Sequence, residues 1–247
     1  MVVCLTFDDG CLSHYEFVRP LLKEAGLAAT FFICGTIIDK PLPGVGPIMS
    51  WEQVIELGKD FELGNHTYRH GVLHEDSVDV RENDIAAVPL KLEMEMASFC
   101  YPGYAYDVAL MRDLAAKGYT HARSGCEKTL DWERFQEGGS GSPYNIVFDN
   151  PMNVQCLGVF GGEYGVTAFE QDLERIGPLE CGVFGFHGVT NDQPNTSISE
   201  DNFKRCVDYI VAKGIKTVPM QDIDGEFSFS QGGWDACRAY RKNQGSE

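Results

Sequence analysis

Basic residues are scarce in this chain. Lysine and arginine number 20 against 37 aspartates and glutamates in 247 residues, a formal charge of -17. Such a surface repels phosphate backbones and anionic lipid, which argues against nucleic acid and membrane surfaces as partners and leaves a neutral or cationic ligand. Clustered cysteines are also lacking: nine are scattered from Cys4 to Cys237, with no CxxC pattern. That excludes a disulfide framework and reads as reduced, mostly buried thiols. No run is long and apolar enough for a membrane span, and no signal peptide, lipid site, repeat or low-complexity tract occurs. With the reduced cysteines, this sets the expectation of a cytoplasmic protein, or an extracytoplasmic one if a leader precedes the sequence.

What is present is a chain 43% hydrophobic with 27 glycines, enough for one substantial core with many tight turns. Short apolar runs alternate with helically spaced ones. Val2 to Phe7, Ala28 to Ile33, Phe61 to Gly64, Ala97 to Tyr101, Tyr119 to Arg123, Gly182 to Phe186 and Ile215 to Val218 read as strands. Residues Phe17 to Leu22 (closed by Gly26), Trp51 to Leu57, Ile85 to Met94, Val108 to Lys117 and Phe203 to Lys213 read as helices. A further helix reaches Ile176, with Thr167 and Glu170 at capping-box spacing. Ser124 to Asn150 is irregular. Strand–helix alternation with short connections predicts an α/β fold with a parallel sheet, and at this length a barrel of seven or eight strands.

Four groups of residues carry chemistry. Thr6-Phe7-Asp8-Asp9-Gly10 puts two adjacent carboxylates at the end of a buried strand, where their charge needs an offset such as a metal ion. A helix N-cap explains one aspartate well and two less well. In His66-Thr67-Tyr68-Arg69-His70, two histidines four apart would share one face of a helical turn and hold one metal, with Asp9 able to complete the set. His187 follows an apolar strand, at the end where barrel sites form. Phe99-Cys100-Tyr101-Pro102-Gly103 ends a strand in a turn that offers the Gly103 N–H as an oxyanion donor, although an ordinary turn has the same sequence.

Together these motifs resemble the polysaccharide deacetylases of the NodB-homology type, the family-four carbohydrate esterases. The likeness runs from about residue 2 to 223 and includes Ser13-His14-Tyr15, Pro20-Leu21-Leu22 and Ala29-Thr30-Phe31-Phe32. It implies a distorted (β/α)7 barrel over residues 1–223, with 224–247 as a C-terminal extension on the surface or partly disordered. It implies one divalent metal, zinc first, with cobalt, manganese or nickel as alternatives, held by Asp9, His66 and His70. Asp8 becomes the general base and His187 the general acid. Thr67 braces the loop, Gly103 binds the acyl oxygen, and Tyr101 lies with it on the substrate side.

The third motif of the family often carries arginine where this chain has Cys100, and Arg123 on the next strand is the candidate to replace it. Asp131-Trp132 is the local candidate for the fourth motif, which walls the groove and tunes the acid. The activity implied is metal-dependent hydrolysis of the N-acetyl group of an amino sugar or an N-acetylated oligo- or polysaccharide. A cytosolic amidase or cyclic ureide or imide hydrolase on the same scaffold is one alternative, and a non-catalytic carbohydrate-binding derivative another.

Overall fold

The apolar run at the N-terminus forms β1 (Val2–Phe7), buried along its length. The computed structural model describes residues 1–40, 46–125, 144–146, 151–159, 166–177, 180–191 and 197–227. Six more strands run parallel to β1. They are β2 (Thr30–Ile33), β3 (Glu62–Asn65), β4 (Ser98–Cys100), β5 (His121–Gly125), β7 (Val154–Val159) and β8 (Glu180–Phe186). They pair in that order, and β8 returns to β1 from Val2↔Cys181 to Phe7↔Phe186, closing a barrel of seven parallel strands. The short β6 (Tyr144–Ile146) is antiparallel to the first half of β8. A two-residue ladder, β9 (Gly188–Val189) with β10 (Ser197–Ile198), lies outside the barrel sheet.

Two expectations change here. Strand β7 is absent from the sequence reading, because Val-Gln-Cys-Leu-Gly-Val follows an irregular stretch and lacks a clear period. The expected last strand, Ile215 to Val218, reduces to a single bridge from Thr217 to Val3. Strand β1 pairs with β2 only at Thr6 and Phe7. The segment wedges into the remaining gap, where Val3 and Val218 each donate one backbone hydrogen bond at 3.0 Å.

The helices are α1 (Arg19–Ala25), α2 (Gly35–Asp39), α3 (Trp51–Leu57), α4 (Val78–Leu92), α5 (Val108–Ala116), α6 (Val166–Glu174) and α7 (Glu200–Lys213). Helix α1 is entered through a π-helical turn, His14–Val18, and ends at Gly26 in a left-handed conformation, φ 66°. Helix α3 opens with a reciprocal capping box between Ser50 and Gln53. Helix α4 begins at Val78, well before Ile85, because its first two turns are polar and carry no apolar period. Helix α6 starts at Val166, so Thr167 lies inside its first turn instead of capping it.

Strand parity positions the site. Val3, Leu5, Phe7, Phe31, Phe99, Tyr101, Phe184 and Phe186 belong to the large cluster between strands and helices. Val2, Cys4, Phe32, Cys100, Cys156, Cys181 and Val183 form a second cluster, the interior of the barrel. Side chains alternate between the two faces of a strand. Asp8 therefore follows Cys4 inward, His66 follows Glu62 and Gly64, and His187 follows Val183 and Gly185. All three leave the C-terminal ends of their strands, the end at which barrel enzymes assemble their sites.

Candidate active site and metal centre

Asp9, His66 and His70 converge above the barrel. His70 Nε2 lies 3.1 Å from His66 Nε2. Asp9 Oδ1 lies 3.6 Å from His66 Nε2 and 3.5 Å from His70 Nε2. Four-coordinate zinc with bonds near 2.0–2.1 Å separates its ligand atoms by about 3.3 Å. The donor set fits such an ion in chemistry as well as spacing. Asp9 Oδ1 is buried without a hydrogen-bond partner, a costly arrangement that a cation relieves.

The tautomer of His66 agrees. Its Nδ1 lies 2.8 Å from the Cys100 carbonyl oxygen. A carbonyl only accepts, so Nδ1 carries the proton and Nε2 turns a lone pair toward Asp9 and His70. Burial pushes His66 down to about 4, against the pull of Asp8 and Asp9, and keeps it neutral.

The histidine pair reaches this geometry differently from the sequence expectation. Residues 66–70 form no helical turn; they are a loop in which Thr67 (φ 62°) and His70 (φ 57°) are both left-handed. Asn65 and Thr67 organise it locally, through Thr67 N–H to Asn65 Oδ1 at 2.8 Å and His70 N–H to Thr67 Oγ1 at 3.0 Å. Across the loop, the Gly35 N–H donates to the Thr67 carbonyl at 3.2 Å. A Cβ at Gly35 would stand 2.2 Å from the Tyr68 ring, so glycine admits this close approach.

Asp8 sits beside the triad with a different set of partners. The buried Arg123 donates from Nη2 to Asp8 Oδ2 and, at 2.8 Å, to Cys100 Sγ, and from Nη1 to Cys156 Sγ at 2.6 Å. Its guanidinium also faces the Phe32 ring at 5.2 Å and the Tyr104 ring at 5.6 Å. Burial alone would raise the Asp8 carboxyl; Arg123, with His187 and His66, overcomes this and holds it below the usual range. Burial also raises the Cys100 thiol, which stays protonated despite the arginine. Asp8 Oδ1 accepts no hydrogen bond and is left open as a proton acceptor.

His187 Nε2 closes the group, 3.8 Å from Asp9 Oδ2 and 4.0 Å from Asp8 Oδ2. Behind it, His14 Nε2 lies 2.5 Å from the His187 carbonyl oxygen, and Ser13 Oγ accepts the Val189 N–H at 3.1 Å.

Residues 1–122 match the sequence model of a family described as polysaccharide deacetylase. Over these residues, just under half of its length, the chain is similar to the polysaccharide deacetylase family. No curated protein matches the sequence.

Among solved structures, the chain is similar to the peptidoglycan deacetylase PdaC from Bacillus subtilis. Identity is 16% over 98% of this chain and 96% of that one, with a TM-score of 0.57. It is also similar to Bacillus subtilis PdaA, a family 4 carbohydrate esterase, at 14% identity over 91% and 81%, TM-score 0.56. The Xyl-CE4 domain of a multidomain xylanase from the hindgut metagenome of Trinervitermes trinervoides gives 14% identity over 93% and 92%, TM-score 0.58. At these identities the likeness is one of fold.

Within this barrel, the other expected site residues fall in several places. Arg123 reaches Asp8 because it is the register neighbour of Cys100 on β5. A Cβ at Gly185 would stand 2.8 Å from Arg123 Nη1 and 3.2 Å from Cys156 Sγ, so that strand glycine makes room for the guanidinium. Gly103 is exposed, φ 58°, in the turn after β4. The expectation that Tyr101 faces substrate fails. It follows inward-facing Cys100, so parity turns it outward, where it is fully buried and donates to the Met152 carbonyl at 2.8 Å.

Asp131 and Trp132 lie outside the described residues, as do Cys126, Cys237 and residues 228–247 of the expected extension. Asp224, at the start of that extension, lies 3.4 Å from the buried His121. The described cysteines are all buried, with no disulfide among them. No helix among the described residues is long and apolar enough to cross a membrane. Cys156 and Gly185 are contributors that sequence reading passed over, and His14 was read only as part of the resemblance, without a role. The glycine inside a strand was the one available signal.

Proposed function

We propose that this protein removes the acetyl group from an N-acetylated amino sugar, free or within an oligo- or polysaccharide, giving acetate and a free amine. The observation that carries this reading is the juxtaposition of an Asp9–His66–His70 donor set with a carboxylate, Asp8, that has one oxygen held by arginine and one open. Solved structures that share the fold are named as a peptidoglycan deacetylase and family 4 carbohydrate esterases, which supports the substrate class.

Asp9, His66 and His70 would hold one divalent metal, zinc by its preference for a nitrogen-rich set with one carboxylate. When bound, it supplies Lewis-acid chemistry, polarising the acetyl carbonyl and acidifying a water. Asp8 Oδ1 takes the proton from the attacking water, and Arg123 keeps Asp8 ionised and aimed for that task. The Gly103 N–H faces the acyl oxygen as negative charge builds there. His187 gives a proton to the nitrogen as the C–N bond breaks, since an unprotonated amine anion is too basic to leave. The product amine is cationic at neutral pH and compatible with the acidic surface. We place this chemistry in a unit spanning residues 1–223, with 224–247 as an extension.

Acetate release against a panel of N-acetylated monosaccharides, oligosaccharides and cyclic amides, with and without chelator, tests the reading. Release of acetate from at least one N-acetyl sugar, abolished by chelator and restored by zinc, is the expected result. Ring opening of a cyclic amide with no acetate from any sugar would reject it in favour of the amidase alternative.

A further inference from the structure

The loop that carries both histidine ligands is held from outside the barrel, by helix α4. Two left-handed non-glycine residues within four persist only where the surroundings over-determine the backbone. One carboxylate does most of this. Asp84 is buried on α4, and its Oδ1 accepts the Tyr68 N–H at 2.9 Å and the Arg69 N–H at 2.6 Å. Its main-chain oxygen also accepts from the Tyr68 N–H, at 3.2 Å. Arg69 Nε lies 3.4 Å from Asp84 Oδ2, and its Nη2 pairs with Asp76. Next to Asp84, the Ile85 carbonyl accepts from Asn65 Nδ2 at 2.7 Å, so β3 is tied to the same turn of helix just before the loop begins.

A buried carboxylate is costly inside a helix, and nothing on α4 itself requires one. Its partners are the two peptide N–H groups that lie between His66 and His70. Two backbone amides converging on one charged oxygen fix the planes of both peptides. The ring of His70 then has to return toward His66.

We propose that Asp84 is a positioning residue for the metal centre: by clamping the Tyr68 and Arg69 amides it sets the angle at which His66 and His70 meet, without touching the ion. This rests on the reading of Asp9, His66 and His70 as metal ligands. Arg69 balances the charge from the solvent side, so the clamp needs no second buried cation.

The test is a zinc titration of the metal-free full-length protein, in competition with a chromophoric chelator. It compares wild type, Asp84→Ala, Asp84→Asn and His70→Ala. Loss of an outer partner of a metal ligand costs about 10–100-fold in affinity, and Asp84→Ala is expected to fall in that range. Asp84→Asn keeps a neutral acceptor, roughly half as strong as a charged one, and is expected to lose about 3–10-fold. The absorption spectrum of the cobalt-loaded variants should shift in the same order as the ligand angle relaxes. Unfolding midpoints taken alongside fix a temperature at which each variant is folded.

A merely structural Asp84 would lower the midpoint yet leave the zinc affinity and cobalt spectrum of the folded protein unchanged, and that result overturns the proposal. If Asp84→Ala does not fold, Asp84→Asn decides alone, and wild-type affinity in it is equally fatal. Zinc binding lost in His70→Ala but intact in both Asp84 variants rejects the role of Asp84 and spares the ligand set. A wild-type protein that binds no zinc rejects the ligand set, and this proposal with it.

Discussion

The two ends of strand β3 each border carboxylates, half-buried at one end and buried at the other, and they are finished in opposite ways. At the N-terminal end, Glu62 Oε1 accepts from Ser98 Oγ at 2.6 Å, and Oε2 accepts from Thr30 Oγ1 at 2.6 Å and the Gln221 N–H at 3.2 Å. Both oxygens are used, and the backbone is an ordinary strand. At the C-terminal end, Asp8 and Asp9 each keep one oxygen with no hydrogen bond. Asp9, Thr67 and His70 there all hold left-handed backbones, with φ between 57° and 70°. The chain can satisfy a half-buried carboxylate fully with neutral donors, as Glu62 demonstrates. The open oxygens at the other end are therefore a local feature, and they occur where two histidines and a charged arginine converge. Unsatisfied polar atoms and backbone strain gathered in one place mark a site that a ligand completes.

The contrast breaks most sharply at the paired aspartates. Asp9→Ala removes one of three donors and should abolish stoichiometric zinc binding together with turnover. Asp8→Asn should retain the zinc and lose about 10²–10⁴-fold in turnover, the range for removing a general base. Metal content by elemental analysis, set beside acetate release, separates the two. Stoichiometric zinc in Asp9→Ala, or near-wild-type turnover in Asp8→Asn, would show that the roles of the neighbours have been divided wrongly.

A smaller effect comes from Arg123, the one cation that the closed end has no counterpart for among the described residues. Arg123→Met leaves a buried carboxylate without its partner, which costs about 3–5 kcal/mol at neutral pH. The sign with pH follows from Asp8. In wild type its carboxyl is depressed below the unfolded value, so its contribution to stability is present above that value and lost as pH falls through the depressed one. Without Arg123, burial, the largest single influence, is opposed only by His187 and His66 and raises the carboxyl; the penalty is then largest at neutral pH and relaxes on acidification. Thermal unfolding of the two metal-free proteins should converge as pH is lowered. A gap that stays constant with pH would mean that Arg123 acts by filling space.

Much of this site was legible in the sequence, and the illegible parts have identifiable causes. Unbroken apolar runs gave β1 and β8, and the chemistry of two aspartates and two histidines was enough to suggest one centre. The helical reading of His66 and His70 failed because spacing of four is also met by a loop with two left-handed residues. Tyr101 was misread for want of parity: once Cys100 points into the barrel, its neighbour must point out. Arg123 was legible as the candidate for the arginine that the resemblance expects where Cys100 stands, whereas its need for Gly185 on β8 depends on a register that no local pattern reveals. Asp84 sits in a run, Val78-Asp79-Val80-Arg81-Glu82-Asn83-Asp84, that looks like solvent-facing helix. Only the fold brings it beneath the histidine loop.

The mildest perturbation tests the closed end. Burial raises the Glu62 carboxyl despite the hydrogen bonds from Ser98 and Thr30 that pull it back. A folded-state value above the unfolded one, about 4.3, means that the folded protein binds more protons between the two, so stability falls as pH rises through that window. Glu62→Gln cannot ionise and should flatten this fall. Its amide nitrogen, facing either the Gln221 N–H or Ser98, costs about 1 kcal/mol of hydrogen bonding at the acid end of the window. The net change at neutral pH is then small, and zinc affinity and turnover should stay at wild-type values, because Glu62 is separated from His66 by the length of β3. Unfolding midpoints across the window, with turnover measured on the same samples, check both halves of the argument. A tenfold loss of turnover in Glu62→Gln would mean that the two ends of the strand are coupled, and that the closed end helps to hold the open one.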